Sequence, residues 1–324
     1  MKDVTILALD QTLASTVTGP MDIFGQAGVL WNVIAGETPT PFFRVQIASM
    51  DGKPVRCHNN AIIEPHCSVN EVKQTDLILI SAENLAALDR ASKKAAKWLL
   101  ERFEAGAGIA SICTGAFLLA ETGLLDYKRA TTHWGFADLF RQRYPKVDLH
   151  QECLVTDEGN LFCSGGAYSY FDLSLYLVEK YCGYETAAQA ARSLLLDMGR
   201  TSQTPYAIFE FQKKHQDPGI LKAQKWIETH FGDDINIDSL ADQVGMSVRN
   251  FKRRFKQATG DTPLMYLQRF RIETAKRLLE KSGLGVEEIG GRVGYGDTGF
   301  FRELFKRYTG ISPNAYRRKF LKEM

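Results

Sequence analysis

The chain contains the stretch Gly108-Ile-Ala-Ser-Ile-Cys113-Thr-Gly-Ala-Phe-Leu-Leu-Ala-Glu-Thr-Gly-Leu124, in which a short apolar run leads directly into an apolar helical pattern. Cys113 lies at the junction, with the small residues Ser111 and Gly115 two positions before and after it. A nucleophile elbow requires small residues at these two places because its turn is too tight for bulky side chains. The stretch therefore predicts a strand, a sharp turn carrying Cys113, and a helix.

Other short apolar runs precede this stretch, at Val4–Leu9, Phe43–Ala48 and Leu77–Ile80. Such runs are typical of parallel strands that are buried on both faces. Helical patterns alternate with them near residues 20–30, 90–105, 114–123, 134–143 and 170–181. The alternation predicts a flavodoxin-like α/β domain with three layers.

The two parts of the chain carry net charges of opposite sign. The 324 residues have a formal net charge of only +2. Before Pro218, 20 Lys and Arg stand against 25 Asp and Glu, a net charge of −5; from Pro218 onward, 20 stand against 13, a net charge of +7. A basic part of this kind indicates a nucleic-acid-binding segment.

The basic part contains two copies of one unit. Leu240–Pro263 recurs as Ile289–Pro313, and Val244-Gly245 matches Val293-Gly294. Each copy has an apolar helical face, then a glycine that ends the helix, then a second helical pattern. This order predicts an all-α domain with two helix-turn-helix units, each with one recognition helix.

The first recognition helix is predicted from Ser247 to about Ala258, with Ser247 as its N-cap and Phe251 and Phe255 on its buried face. Arg can bind guanine and Asn adenine through two hydrogen bonds each, whereas Lys mainly neutralises phosphate. The predicted DNA contacts of this helix are Ser247, Arg249, Asn250, Lys252, Arg253 and Lys256.

The second recognition helix is predicted to start at Asp297 or Thr298. Its predicted buried residues are Phe300, Leu304, Phe305 and Tyr308, and its predicted DNA contacts are Asp297, Thr298, Arg302 and Lys306. Gly299 and Glu303 stand where the first copy has Arg249 and Arg253. We therefore expect the first unit to supply more of the base recognition.

The helix between the two copies is predicted to begin at Pro263. Met265, Ile272, Ala275 and Leu279 recur on one helical face, which is expected to be buried. A helix of about 18 residues would be roughly 27 Å long. It could hold two recognition helices in successive major grooves on one face of a duplex.

Residues 219–322 resemble the AraC family of bacterial transcription regulators. The signature is Val293-Gly-Tyr-Gly-Asp-Thr-Gly-Phe-Phe-Arg-Glu-Leu-Phe-Lys-Arg-Tyr-Thr-Gly-Ile-Ser-Pro-Asn-Ala-Tyr-Arg317. One departure is Gly290-Gly291, where the family usually has Ala after the Ile. Two glycines within a helix cost about 1 kcal/mol each relative to Ala, so the second unit is expected to be less rigid.

Residues 1–190 resemble the class I glutamine amidotransferase-like superfamily, in the branch of the PfpI-type proteases and the parkinsonism-associated protein. Cys113-Thr-Gly-Ala-Phe117, Ala130-Thr-Thr-His-Trp134 and an AraC-type tail together resemble the GlxA-like branch of regulators. The resemblance implies a sensor and dimerisation domain at 1–190, a linker at 191–218 and a DNA-binding domain at 219–324.

The expected function is that of a sequence-specific transcription regulator that binds double-stranded DNA as a homodimer, with RNA polymerase as a further candidate partner. Open α/β sheets bind ligands at the carboxyl ends of their strands. We predict a pocket there for a small nitrogen-containing metabolite, lined by Cys113, Thr114, His133, Gly165, Gly166 and Ala167.

The alternative is a cysteine-dependent amidase, peptidase or deglycase with an attached DNA-binding domain. By the resemblance, Cys113 would be its nucleophile and His133 its base. However, Thr114 stands where protease-like members often have His, and the loop Leu13–Gly19 lacks the carboxylate that some relatives carry. The sequence therefore favours a site without catalytic residues.

No cofactor, metal ion or membrane partner is predicted. The pairs Cys57-His58 and His66-Cys67 do not have the spacing of a zinc site. The six cysteines lie without the close spacing of a disulfide scaffold, and the sequence shows neither a signal peptide nor an apolar run of 18 residues. We therefore expect a cytoplasmic protein.

Overall fold

The computed structural model describes residues 1–209, 211, 213 and 215–321, and the side chains of these residues except 86–92. The chain divides into two compact units, Met1–Gln203 and Thr204–Met324. Each unit has its own hydrophobic clusters.

The first unit alternates strands and helices as expected. Its strands are β1 (Lys2–Leu7), β2 (Phe43–Ser49), β3 (Val55–Arg56), β4 (Ile62–Ile63), β5 (Cys67–Ser68), β6 (Leu77–Ile80), β7 (Gly108–Ile112), β8 (Arg129–Ala130), β9 (Asp148–Leu149), β10 (Val155–Asp157) and β11 (Leu161–Ser164). Its helices are α1 (Ser15–Gln26), α2 (Leu30–Ala35), α3 (Leu85–Glu104), α4 (Gly115–Glu121), α5 (Ala137–Arg143), α6 (Tyr170–Cys182) and α7 (Tyr184–Ser193).

Seven of these strands form one sheet, in the order β10-β11-β7-β6-β1-β2-β5. Every neighbouring pair is parallel except β10 with β11. After β1 the chain adds β2 on one side and later β6 on the other, so the strand order reverses between β1 and β6. Open α/β sheets bind ligands in the crevice at such a point.

The strands β6 and β7 are buried along their whole length, because both faces of the sheet are covered. Val4 and Ile6 of β1 pack in one cluster, with side chains from α1, α6 and α7. Leu7 packs in a second cluster, with side chains from α3 and α4. Successive strand residues point to opposite faces, so each apolar run serves two layers, and the predicted flavodoxin-like fold is confirmed.

The second unit is helical. Its helices are α8 (Pro218–His230), α9 (Ile237–Gln243), α10 (Val248–Thr259), α11 (Pro263–Lys281), α12 (Val286–Arg292), α13 (Thr298–Thr309) and α14 (Pro313–Phe320). One cluster joins α8, α9, α10 and the start of α11, and another joins the rest of α11 with α12, α13 and α14. The pairs α9–α10 and α12–α13 are the two predicted helix-turn-helix units.

Two predictions about buried residues in this unit are wrong. Phe300 is 48% exposed, and Phe301 is buried in its place. Counting back from Phe305, a helical repeat of four residues leads to Phe301, just as it leads from Phe255 to Phe251. Met265 is 40% exposed, whereas its neighbours Tyr266 and Leu267 are buried.

Gly290 of α12 lies at a close approach between two helices. A Cβ atom built on Gly290 would lie 3.2 Å from the ring of Phe301, whereas one on Gly291 would meet nothing within 4 Å. The absence of a side chain at Gly290 therefore lets α12 pack tightly on α13. This contact gives the departure from Ala a packing reason that the sequence did not reveal.

Arg271 of α11 joins the loop between α8 and α9 to the turn of the second helix-turn-helix unit. Its guanidinium donates to the carbonyl oxygens of Phe231 and Asp233, both at 2.7 Å, and lies over the ring of Tyr295. A Cβ atom on Gly294 would come within 2.6 Å of this guanidinium. The turn of the second helix-turn-helix unit therefore needs glycine at position 294 for two reasons. A Cβ atom would collide with Arg271, and the φ of Gly294 is +85°.

The boundary between the compact units, after Gln203, falls within the predicted linker at residues 191–218. Thr201 and Gln203 are hydrogen-bonded to Leu154 and Glu152 of the first unit. Asp217 caps the N-terminus of α8 in the second unit, where its carboxylate accepts a hydrogen bond from the Ile220 amide. Among the described residues, no helix is both long and apolar enough to cross a membrane.

Candidate functional sites

Cys113 occupies a strained turn between β7 and α4. Its φ is +56°, a left-handed conformation that is uncommon for any residue other than glycine. Its amide donates to the carbonyl oxygen of Ser164 at 3.0 Å, and its carbonyl oxygen accepts from Thr132 Oγ1 at 2.8 Å. The elbow that the sequence predicted is therefore present, with its backbone held from two other segments.

The thiol of Cys113 is buried, with 5% of the residue exposed. Burial raises its pKa to about 12, although hydrogen bonds from Thr114 act in the opposite direction. A thiol rather than a thiolate is therefore the form present at neutral pH. Only the thiolate is an effective nucleophile, and burial at this turn disfavours that form.

Thr114 connects the elbow to a buried acid that the sequence analysis missed. Its hydroxyl accepts from the amide of Glu83 at 2.8 Å and donates to the carbonyl oxygen of Glu83 at 2.7 Å. Glu83 is 5% exposed, and burial raises the pKa of its carboxyl well above the usual value. Glu83 follows β6, and this position at the carboxyl end of a buried strand was the available signal.

The carboxyl of Glu83 lies at the point where the strand order reverses. Its Oε1 lies 3.4 Å from the hydroxyl of Ser81, which in turn donates to the carbonyl oxygen of Leu7 at the end of β1. Its Oε2 is buried and has no hydrogen-bond partner among the described residues. The Ser81 hydroxyl donates its proton to Leu7, so the proton of the neutral carboxyl fits on Oε1, toward Ser81, and Oε2 is left as an acceptor. Unsatisfied buried polar atoms are rare because each costs free energy, so this oxygen marks a place for a donor.

His133 is partly buried, and burial lowers its pKa, which favours the neutral ring. Its Nδ1 accepts a hydrogen bond from the amide of Gly135 at 3.0 Å. With Nδ1 as an acceptor, the proton of the neutral ring is on Nε2. No hydrogen bond joins His133 to the Cys113 thiol within the described part of the chain, so the structure does not assemble a cysteine–histidine pair.

Gly165 and Gly166 follow β11, and each lies close to the side chain of another segment. A Cβ atom on Gly165 would lie 2.7 Å from the amide group of Gln203, and one on Gly166 would lie 3.4 Å from the His133 ring. Ala167 begins the next turn and is partly buried. The predicted pocket residues thus come from neighbouring segments at the carboxyl edge of the sheet.

One group of metal-ligand types exists among the described residues, formed by His150, Glu152 and Cys153, with ligand atoms within 4.8 Å of one another. The two ring nitrogens of His150 lie 3.0 Å from Asp148 and 2.9 Å from Glu152. Burial raises the pKa of the Cys153 thiol. The carboxylates of Asp148 and Glu152 are sufficient to hold the His150 ring in place without a bound metal ion.

The recognition helix α10 presents basic side chains opposite its buried face. Phe251 and Phe255 are buried as predicted. Ser247, Arg249, Lys252, Arg253 and Lys256 are exposed and Asn250 is partly buried. The face intended for DNA is therefore accessible.

Two of these side chains have protein partners. Arg253 donates to Asn250 Oδ1 at 2.9 Å, and Lys252 lies 2.9 Å from Asp238 of α9. Neither Arg249 nor Lys256 forms an ion pair or hydrogen bond with its side chain in the described part of the chain. Ser247 is the N-cap residue, but its hydroxyl makes no capping hydrogen bond.

The second recognition helix, α13, begins at Thr298 as expected. Asp297 is its N-cap, and Asp297 Oδ1 accepts from the amide of Phe300 at 2.9 Å. Arg302 and Lys306 are exposed, and Thr298 is partly buried. Asp297 thus has a structural role whether or not it approaches DNA.

Two family models match the chain. Residues 240–319 match a helix-turn-helix domain, and residues 2–180 match the DJ-1/PfpI family. The chain belongs to the DJ-1/PfpI family. Its DJ-1/PfpI unit is followed by an AraC-type helix-turn-helix domain, which is the combination that the sequence predicted.

Relatives of this DJ-1/PfpI protein are regulators by name. The HTH-type transcriptional regulator CdhR of Pseudomonas aeruginosa is 25% identical over 292 residues, which cover 88% of this chain and 84% of CdhR. The HTH-type transcriptional regulator GlxA of Rhizobium meliloti is 28% identical over 217 residues, or 66% of each chain. The crystal structure of Drosophila melanogaster DJ-1beta matches 60% of this chain and 98% of its own, with a TM-score of 0.52 and 19% identity, and supports the fold alone.

Proposed function

We propose that the protein is a sequence-specific DNA-binding transcription regulator controlled by a small metabolite. The observation that carries the proposal is the pair of helices α10 and α13, each with phenylalanines buried on one face and basic side chains exposed on the other. Helices of this kind read base edges in the major groove. The names of CdhR and GlxA agree with this role.

The separation of the two recognition helices is set by α11. This helix has 19 residues and is therefore about 28 Å long. Successive major grooves on one face of DNA are roughly 34 Å apart. Residues 219–324 would thus place α10 and α13 in neighbouring grooves, with the more basic α10 contributing more of the affinity.

The first unit is the sensor in this proposal. Its ligand site lies at the carboxyl edge of the sheet and includes Cys113, Thr114, His133, Gly165, Gly166 and Ala167, to which we add Glu83. The buried Oε2 of Glu83 lacks a donor among the described residues. A ligand with N–H groups would supply one, which supports a small nitrogen-containing metabolite.

Cys113 is a pocket residue rather than a nucleophile in this proposal. An amidase, peptidase or deglycase would require a thiolate at neutral pH, whereas the pKa of Cys113 is about 12. Burial lowers the pKa of His133, and its Nδ1 accepts a hydrogen bond from the Gly135 amide. Among the described residues, no hydrogen bond joins His133 to the Cys113 thiol that would activate it. We therefore expect the protein to show no hydrolytic activity that depends on Cys113, so Cys113→Ala should leave any measured hydrolysis unchanged.

Two copies pair through their first units and present paired helix-turn-helix domains to double-stranded DNA. A metabolite that binds one arrangement of the dimer more tightly would shift the population toward that arrangement. The DNA-bound dimer is then placed to contact RNA polymerase, the further partner in this proposal.

The test of the regulator function is selection of bound duplexes from a random pool with the full chain. The expected result is an enriched motif with two half-sites, each spanning two adjacent major grooves. Enrichment of no motif would contradict the proposal. Titration of amino acids, amines and amides during binding to the selected duplex then tests the sensor, and a ligand-independent affinity across the panel would argue against it.

A further inference from the structure

Gln203, the last residue of the first unit, has its side-chain amide buried among the segments that form the proposed ligand site. The residue is 2% exposed. Its Nε2 donates to the carbonyl oxygen of Thr132 at 2.7 Å and lies 3.3 Å from that of Cys153, and its Oε1 accepts from the amide of Trp134 at 3.2 Å. The amide is therefore fixed on several sides.

The partners of Gln203 are the residues that hold the elbow and His133. Thr132 supplies the hydroxyl that donates to the carbonyl oxygen of Cys113, and Trp134 directly follows His133. Gly165 lies so close to the Gln203 amide that a Cβ atom there would approach it to 2.7 Å. A change in the position of any of these segments must change the hydrogen bonds of Gln203.

The residues that directly follow Gln203 are fixed to the helices of the second unit. Thr204–Tyr206 form a short helical turn that packs against α13, the second recognition helix. The ring of Tyr206 lies 5.6 Å from that of Phe320 in α14, and Lys276 Nζ of α11 donates to the carbonyl oxygen of Ala207 at 2.6 Å. One peptide bond thus separates a residue bound in the sensor from a segment bound to a DNA-reading helix.

We propose that Gln203 is the positioning residue that couples the ligand site to α13. The inference rests on the proposed function and specifies how that site is read out. A ligand that moves Thr132, Trp134 or Gly165 weakens the hydrogen bonds of Gln203, and the displacement passes along the chain to Thr204–Ala207. The contacts of that segment with α13 change in turn, so the second recognition helix responds to a ligand that it does not touch.

The close approach of Gly165 to the Gln203 amide allows this coupling to be tested without knowing the ligand. Gly165→Ala places a methyl group against the Gln203 amide and should displace it. Gly25→Ala is the control, because Gly25 is exposed in α1, lies outside the proposed ligand site, and a Cβ atom there would meet nothing within 4 Å. Gln203→Ala removes the amide itself and serves if Gly165→Ala does not fold.

The measurement is hydrogen exchange of the full chain by mass spectrometry, with α10 as an internal reference for α13. We expect exchange in Thr298–Thr309 to rise about tenfold in Gly165→Ala and Gln203→Ala, the effect of losing one or two buried hydrogen bonds. Exchange in α10 should change little, and Gly25→Ala should resemble the natural chain. An unchanged α13, or equal changes in α10 and α13, would overturn the proposal.

The same variants separate this inference from the regulator function. If the natural chain selects no duplex, the regulator function fails, yet the exchange pattern still tests the coupling. If the natural chain binds its duplex and the three variants bind it with equal affinity and equal exchange, only the coupling fails. Support requires a change of affinity for the selected duplex in Gly165→Ala and Gln203→Ala but not in Gly25→Ala.

Discussion

Arg254 of the first recognition helix forms two hydrogen bonds with Asp217, from Nε to Oδ2 at 2.9 Å and from Nη2 to Oδ1 at 2.8 Å. Asp217 is also the N-cap of α8. The pair therefore ties the helix that reads DNA to the first helix of its unit. Arg254, which is not among the predicted DNA contacts, therefore has its guanidinium engaged within the protein.

This ion pair makes a pH-dependent contribution to stability. The hydrogen bonds to Arg254 hold the pKa of Asp217 below its ordinary value of 3.8. A lowered pKa in the folded state means that the contribution is present above about pH 4 and is lost as the pH falls through the lowered value. Asp217→Asn should lower the thermal stability of the second unit at pH 7 and make it less dependent on pH between 5 and 3.

Thermal unfolding across this pH range is the measurement, and exposed Asp234→Asn is the control. Asn remains a good N-cap, so Asp217→Ala should cost about 1 kcal/mol more than Asp217→Asn. An Asp217→Asn chain with the same acid sensitivity as the natural chain would show that the pair does not contribute.

Arg253 and Lys256 should differ in their effects on DNA binding. Arg253→Ala should cost about 1 to 3 kcal/mol and relax the preference at one base position, because Arg can form two hydrogen bonds to guanine. Lys256→Ala should weaken binding to all sequences alike and reduce the salt dependence by about one counterion. Binding to matched and mismatched duplexes at several salt concentrations measures both. If neither change affects binding, α10 does not face the DNA.

Cys113 should react slowly with alkylating reagents. With a pKa of about 12, its thiolate fraction at neutral pH is small, and its burial restricts access as well. Labelling with iodoacetamide at pH 8, followed by mass spectrometry of the peptides, should modify the more exposed Cys67 at least about tenfold faster. Faster modification of Cys113 than of Cys67 would indicate an activated thiolate and favour the enzymatic alternative.

Gly290 and Gly291 should respond in opposite ways to alanine. Gly291→Ala adds a methyl group in open space and should raise the free energy of unfolding of the helical domain by about 1 kcal/mol. Gly290→Ala gains the same helical preference but presses against Phe301, so it should give no stabilisation or a loss. Denaturant unfolding of the full chain with each variant distinguishes them. Equal stabilisation by both would show that α12 can shift away from Phe301 without cost.

Phe301 and Phe300 provide a second matched pair in α13. Phe301→Ala empties a buried position and should cost about 3 to 5 kcal/mol. Phe300 is about half exposed, and Phe300→Ala should cost far less. Thermal unfolding measures the difference. A larger cost at Phe300 would reverse our assignment of the buried face.

The sequence predicted the elements whose patterns are locally determined. The apolar runs at β1, β2 and β6, the turn at Cys113 and the two helix pairs needed only the spacing of apolar and small residues. The sequence did not determine which of the two adjacent residues Phe300 and Phe301 lies on the buried face of α13, because both are apolar. Counting from Phe305 in parallel with the first copy would have selected Phe301.

The site was predictable only where one segment contains its residues. Cys113 and Thr114 came from the elbow itself, and His133 from a nearby motif. Glu83 is brought to this region by the order of the strands in the sheet. Gln203 is brought there by the chain that returns to the sheet after α7. The position of Glu83 directly after a buried strand was an available signal. Gln203 is not marked by its neighbours in the sequence, so only the tertiary structure brings it to the site.

Arg271 bears on how the duplicated domain folds. Two repeated units with separate hydrophobic clusters could melt independently, but Arg271 binds the carbonyl oxygens of Phe231 and Asp233 and fits against Gly294 of the second copy. Phe231 also packs against both clusters. The guanidinium of Arg271 and the ring of Phe231 therefore contact both parts of the helical domain. The domain should fold as a single cooperative unit although it contains a repeat.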